Sequence, residues 1–343
     1  MMSRLTRRDF LKLGGLGLAG MFMPPLPFNF SAGDPYADQQ GRVTSNILWL
    51  YDAPSHQGRR TKLYWRDLVL PITNVTVSEE ESAYNRVWYE VREEGFAYSG
   101  SVQPVRTILN APRADIPAAG VLAEVTVPFT DAYQFPDQQS RTAYRMYYET
   151  THWVMGAATN EEDGKVWYQI LEDREKALYY AQAEHLRLFS DDELAPLSPE
   201  VPGDQKKIEV HLDQQILIAR EYDNPVFVTR VASGAVYRTG TYTTPRGLFM
   251  TYHKRPTRHM AAGDLASNGF DLPGVPWVMY ITESGISLHG TFWHNDFGHP
   301  RSHGCINLTP SAAKWLFRWT SPVVQPDEEF SYKSKGTQVY IMD

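Results

Sequence analysis

Cys305 is the only cysteine in the 343 residues of the chain. It stands in the stretch Ser302-His303-Gly304-Cys305-Ile306-Asn307, and a second His-Gly pair, His289-Gly290, lies shortly upstream. A cysteine attacks as its thiolate, and a free thiol is mostly protonated at neutral pH, so a histidine that takes the proton turns it into a nucleophile. Two histidines compete for that role. His303 is two residues before Cys305 and would share its face in an extended backbone. His289 can reach the sulfur only through tertiary folding. Gly304 lets the backbone turn and a substrate carbonyl approach, and the Gly304 and Cys305 amides could donate to an oxyanion. These residue types describe acyl transfer through a thioester. They specify neither the acyl group nor its acceptor.

Other residues near the cysteine invite further readings. His294, Asp296, His299 and His303 fall within one short segment and could be metal ligands. No His-Glu-x-x-His helix accompanies them, and 295–300 reads as a loop, so groove lining is preferred and no metal is expected. Phe292, Trp293 and Phe297 could form a lid over a substrate or be ordinary loop packing. Arg246 and Arg301 could meet a substrate carboxylate; a solvated surface position is the plainer alternative for each.

The elements that must carry these residues are mostly strands. From 43 to 105, short period-two runs are broken by Gly, Pro and Asn, which predicts a small barrel or sandwich. Val166-Trp167-Tyr168-Gln169-Ile170 closely matches Val87-Trp88-Tyr89-Glu90-Val91. Each copy precedes a charged turn and another aromatic strand, which predicts an internal duplication of a β module. Residues 191–205, with Pro196, Pro199, Pro202 and Gly203, read as a linker. The remainder, 206–343, reads as β-rich with one main helix. Thr309 can cap that helix and Pro310 suits its first turn. Ala312, Trp315, Leu316 and Trp319 then share one face.

Composition bounds the setting. The formal net charge is −7, and the first thirty residues are basic, so the body is more acidic still. That balance argues against nucleic acid as a partner. Thr6-Arg7-Arg8-Asp9-Phe10-Leu11-Lys12 precedes a short Gly-rich apolar run ended by Pro24-Pro25. The run is too short for a spanning helix, which needs about 20 residues. Residues 1–33 are therefore expected to be a Tat-type export signal, with no stable membrane span after its removal. In an exported protein a lone cysteine is a reactive thiol or an intermolecular partner. The sequence leaves the oligomeric state open.

His289-Gly290 followed by Ser302-His303-Gly304-Cys305-Ile306-Asn307 resembles the signature of the L,D-transpeptidase (YkuD-like) catalytic domain. Thr244-Pro245-Arg246-Gly247 resembles an upstream element of the same family. The resemblance covers residues 206–343. Residues 38–110 resemble a bacterial SH3-like domain, and 111–195 a second one. The resemblance implies Cys305 as nucleophile, His289 as general base oriented by the Gly290 main chain, and His303 as support for the thiolate or substrate. It implies an oxyanion hole at Gly304 and Cys305. Ser302, Asn307, Gly290, Arg246 and Trp293 would hold the loop or the substrate. It further implies an exported envelope enzyme without metal or organic cofactor, acting on peptidoglycan stem peptides. Cys305 would attack the L-D amide of a tetrapeptide stem, D-alanine would leave, and an amine of a neighbouring stem would resolve the thioester. A wall L,D-carboxypeptidase, a cysteine endopeptidase and a non-catalytic wall-binding protein are the alternatives. Papain-like peptidases place Cys before His, the reverse of the order here.

Overall fold

Short alternating runs separated by turn residues fold as antiparallel sheets, because each run buries one face and exposes the other. A computed structural model describes residues 39–238, 240–263 and 269–343. The twin-arginine segment, 1–33, lies outside the described residues. The first unit comprises β1 (Gln40–Val43), β2 (Ile47–Tyr51), β3 (Arg60–Trp65), β4 (Val69–Val77), β5 (Val87–Val91), β6 (Gly95–Tyr98) and β7 (Val102–Val105). Their order in the sheet is β3-β2-β6-β5-β4-β1-β7. The second unit comprises β8 (Val121–Val125), β9 (Phe129–Tyr133), β10 (Thr142–Tyr147), β11 (Thr151–Thr159), β12 (Val166–Leu171), β13 (Leu178–Gln182) and β14 (Leu186–Leu188). Its order, β10-β9-β13-β12-β11-β8-β14, is the first order strand for strand. The matched Trp88 and Trp167 are both buried, as are Tyr89 and Tyr168. These aromatics are core in both units.

The short helix α1 (Asp191–Leu194) follows. The stretch around it is not a free linker. The Leu197 N–H donates to Arg318 O at 3.0 Å, and Arg318 Nε donates to Ala195 O at 2.8 Å. Leu194 and Leu197 pack on the core of the third unit.

The third unit has two five-stranded sheets. One takes β15 (Lys206–His211), β16 (Ile216–Glu221), β17 (Asn224–Arg230), β20 (Gly247–Met250) and β26 (Gln338–Met342) in the order β17-β16-β15-β26-β20. The other takes β21 (His253–Ala262), β22 (Phe270–Tyr280), β23 (Ser287–Gly290), β24 (Ile306–Leu308) and β25 (Ser331–Tyr332) in the order β24-β23-β22-β21-β25. A two-stranded ribbon, β18 (Val236–Tyr237) and β19 (Gly240–Thr241), stands apart. The long hairpin β21–β22 is more than the sequence suggests, which gives only Trp277-Val278-Met279-Tyr280 as a strand. Pro256, Pro273, Pro276 and Gly274 interrupt its apolar alternation, and strand prolines argue against a strand when read locally.

Helix α2 (Pro310–Trp319) lies against β22 and β23. The Thr309 hydroxyl caps it by accepting from the Ala312 N–H at 3.3 Å. Its inner face, including Ala312, Ala313, Leu316, Phe317 and Trp319, joins Ile208, Trp277, Leu288, Ile306 and Leu308 in one core. Buried Lys254 finishes the helix, donating from Nζ to Phe317 O at 2.6 Å and to Thr320 O at 2.8 Å. Leu122, Trp153 and Phe189 of the second unit belong to the same core, so that unit is packed onto the third by apolar burial. Among the described residues no helix is long and apolar enough to cross a membrane.

Leu316 is 0% exposed. Leu316→Ala should cost about 2–5 kcal/mol through lost burial and a residual cavity. The check is the denaturant midpoint of unfolding, and a shift within error would mean that α2 is not part of the cooperative core.

Candidate active site

The cysteine is placed by a short parallel pairing. Strand β23 pairs with β24 so that Leu288 faces Ile306, His289 faces Asn307 and Gly290 faces Leu308. Side chains alternate across a strand. Leu288, Ile306 and Leu308 therefore point into the core, all 0% exposed. Ser287 and His289 share the opposite face with Cys305 and Asn307. Folding thus brings His289 to the cysteine from sixteen positions away in sequence.

Cys305 is half-buried and free. Ser287 Oγ lies 3.7 Å from its Sγ, and Gly285 O lies 3.8 Å away. Burial pushes the thiol up, but the hydrogen bond and charge of His289, together with bonds from Ser287, outweigh it and leave the thiol below its ordinary value. His289 is buried, and its Nδ1–H donates to Gly290 O at 3.0 Å. Nδ1 therefore carries a proton. Gly290 has no room for a side chain: a Cβ there would sit 2.7 Å from Pro276 and 3.0 Å from the Pro310 Cα.

The residues before the cysteine form a turn, not an extended strand. Gly304 has φ of 110°, a conformation that favours glycine. The turn is tied internally. Ser302 Oγ donates to Cys305 O at 2.5 Å and accepts from the Gly304 N–H at 3.1 Å. Thr244 Oγ1 donates to Gly304 O and accepts from the Gly234 N–H, both at 2.8 Å. This corrects two expectations. The Gly304 amide is already engaged within the loop, where it donates to Ser302 Oγ. His303 does not share the cysteine's face through an extended backbone. Its exposed ring stacks on Tyr237 at 5.3 Å and meets Tyr242 edge-on at 4.5 Å.

The remaining expected residues divide. Asn307 is fully buried and contacts His294, with 3.0 Å between Nδ2 and Nε2. Trp293 packs on the His289 ring at 5.6 Å and lines a cavity of about 400 Å³ with Tyr237, His299 and Arg301. Phe292 and Phe297 are buried and are loop core, not lid. Arg246 pairs with Asp343 at 2.7 Å on the surface, not with the Cys305 loop. Arg301 pairs with Asp296 at 2.9 Å. Of the four residues read as a metal set, only His299 and Asp296 approach each other, at 3.5 Å; Asp296 also meets Arg301 and Tyr98, His294 turns to Asn307, and His303 to the tyrosines. Among the described residues no group of three or more His, Cys, Asp or Glu gathers as a metal site.

Sequence reasoning passed over Ser287, and it gave neither Thr244 nor His294 the part that the structure gives it. Ser287 was available from the β23 period, being two residues before His289. Thr244 was seen only as part of a motif. Nothing local marks His294 as buried.

Residues 205–341 match a family model described as YkuD, the L,D-transpeptidase catalytic domain. The match concerns the third unit, about two fifths of the chain. No curated protein matches the chain. Among solved structures, an L,D-transpeptidase from Xylanimonas cellulosilytica is 28% identical, over 40% of this chain and 60% of that one, with a TM-score of 0.29. A mutant of the Enterococcus faecium L,D-transpeptidase is 25% identical, over 40% of this chain and 50% of that one, with a TM-score of 0.31. A Mycobacterium smegmatis L,D-transpeptidase is 16% identical, over 55% and 99% of the two chains, with a TM-score of 0.33. The chain thus spans about half the length of the Enterococcus faecium protein.

Two measurements follow from this geometry. Alkylation of Cys305 by iodoacetamide, followed against pH, should show a midpoint below the roughly 8.5 of free cysteine. In His289→Ala, burial is no longer opposed by the imidazole, so the midpoint should rise; an unchanged midpoint would remove His289 from the site. Thr244→Val, which deletes two hydrogen bonds of the turn, should destabilise the protein by about 1–3 kcal/mol and slow alkylation at fixed pH.

Proposed function

We propose that this chain is an exported peptidoglycan L,D-transpeptidase with Cys305 as its nucleophile. The observation that carries the reading is the cysteine whose thiol is held low by His289 across the β23–β24 pairing, inside a unit matched to the L,D-transpeptidase catalytic domain. The substrate is a tetrapeptide stem. Cys305 Sγ attacks the carbonyl of the amide between the L-centre and the terminal D-alanine, and His289 Nε2 takes the thiol proton. The Cys305 amide meets the developing oxyanion. As the C–N bond breaks, His289 returns the proton to the leaving D-alanine nitrogen and a thioester remains. An amine of a neighbouring stem then attacks the thioester carbonyl, His289 accepts its proton, and the sulfur leaves as the cross-linking amide forms.

In this reading Asn307 and Ser302 hold the loop, and Trp293 and His303 border the stem. Tyr237, stacked on His303, extends that border. The twin-arginine segment, 1–33, directs export to the envelope, where the substrate is. Residues 38–110 and 111–195 are two copies of an SH3-like module, a duplication supported by their common strand order and the paired buried Trp-Tyr positions. Residues 206–343 are the catalytic domain.

The test is mass spectrometry of muropeptides incubated with the full chain, beside a Cys305→Ala control. Loss of D-alanine with a cross-linked dimer is expected in the parent and absent in the control. D-alanine loss without dimer would make water the acceptor and the enzyme an L,D-carboxypeptidase. Cleaved stems in place of joined ones would make it an endopeptidase. No turnover, with retention on intact sacculi, would leave a wall-binding protein.

A further inference from the structure

The segment 292–296 runs between the first unit and the proposed catalytic pair, and its residues divide between the two. Phe292, Asn295 and Asp296 are held by the first unit. Arg42 Nη2 donates to Phe292 O at 2.6 Å. The Asn295 N–H donates to Gly100 O at 3.0 Å, and Asn295 Nδ2 donates to Tyr89 Oη at 3.1 Å and Ser99 O at 3.3 Å. Tyr98 Oη donates to Asp296 Oδ1 at 2.5 Å. Trp293 and His294, between these anchors, face the catalytic side. Trp293 lies against the His289 ring and His294 against Asn307.

His294 has one protonation state that fits its contacts. Its Nδ1 accepts from the Asp296 N–H at 3.2 Å, so in a neutral ring the proton is on Nε2. Burial, with the charge of Arg301 adding to it, pushes this histidine down to about 3, so the ring is neutral. Nε2–H must then donate to Asn307, which presents its amide oxygen to the ring once oxygen and nitrogen are interchanged. The opposite assignment sets two N–H groups against each other at Asp296. Asn307 is opposite His289 in the strand register. The Asp296 backbone therefore decides how the amide beside the proposed base is turned.

We infer that the first unit is a positioning element of the catalytic centre: through Arg42, Tyr98 and Gly100 it fixes segment 292–296, and with it the Trp293 and His294 side chains that hold His289 and Asn307. The inference rests on the reading of Cys305 and His289 as nucleophile and base. The contact has little slack. A Cβ on Gly100 would lie 2.7 Å from Asp296 Oδ1 and 2.5 Å from the Tyr98 ring. Arg42 is itself buried and fixed by Asp67 at 2.8 Å and by Gln103. These are positioning residues. None of them contacts the cysteine, and each acts through the segment between.

The test uses the full chain with Tyr98→Phe and Gly100→Ala. Iodoacetamide alkylation of Cys305 against pH reads the His289–Cys305 pair without any substrate. Loss of the Tyr98 hydrogen bond, or crowding of Asp296 by the added Cβ at Gly100, should slow alkylation at neutral pH by about 5-fold and raise its midpoint. The thermal midpoint of unfolding should move by only a few degrees. The kcat of muropeptide joining should fall in step, with KM little changed. An alkylation profile unchanged in both variants overturns the inference. Should either variant fail to fold, Asn295→Ser, which cuts the same contact from the loop side, is read by the same profile. Shifted profiles in a parent chain that joins no muropeptides would uphold the positioning role and sink the transpeptidase reading instead.

Discussion

Three facing residue pairs, between β23 and β24, decide where chemistry can occur in this protein. The pairing is parallel, so it cannot be closed by a tight turn and needs a long crossover. That crossover is 291–305, and it holds Trp293, His294, Asp296 and the cysteine turn. The apolar residues of the two strands are covered by α2 and share that core with residues of β22, the neighbouring strand of β23. The polar residues are forced to the front together. A slip of one residue in this register would turn His289 and Cys305 into the core and Leu288 and Ile306 out of it. The packing of α2 therefore acts on the reactive face as well as on stability, because it makes that slip prohibitive.

The crossover has little regular structure of its own, and its polar groups are satisfied largely from outside. The Thr291 N–H donates to Leu308 O, and the Gly298 N–H to Val231 O. Between those points the first unit supplies the partners. Arg42 gathers three parts of the chain, reaching Asp67 and Gln103 in the first unit, the Tyr147 ring of the second at 4.2 Å and Phe292 O of the third. A buried guanidinium is costly unless its donors are all met, so these units are constrained to one arrangement around it. Phe292 stacks on Tyr147 at the same junction. Apolar burial welds the second unit to the third. At the first unit, hydrogen bonds to a single segment do more of the joining.

The sequence made the β-rich class, the strand repeats and α2 legible, because each rests on a local period or cap: Val87 to Val91 and Val166 to Leu171 alternate, and Thr309-Pro310 opens a helix whose inner face recurs every three to four residues. The lone cysteine and its two His-Gly and Ser-His-Gly elements were legible by residue type. The hairpin β21–β22 was not, because its prolines hide a pairing stabilised by neighbouring strands and not by propensity. Nor could the sequence divide labour within the turn. Whether the Gly304 amide is free or bonded to Ser302 depends on a φ and a hydroxyl direction that no spacing encodes. The contact of Tyr98 with Asp296, 198 positions apart, leaves no local trace at either residue.

The four histidines of the stretch illustrate why burial and partners, not residue type, assign roles here. His289 is buried and acts on the Cys305 sulfur, whose thiol it holds below its ordinary value. His294 is equally buried, faces an amide and a backbone N–H, and lies near the Arg301 charge, which together keep it neutral. His299 sits 3.5 Å from Asp296 at the rim. His303 is outside, stacked on the Tyr237 ring and edge-on to Tyr242. Kept neutral, His294 adds no positive charge beside Asn307 and the His289 that it faces in the strand register. That leaves His289 as the one imidazole that acts on the Cys305 sulfur, as the proposed reading requires.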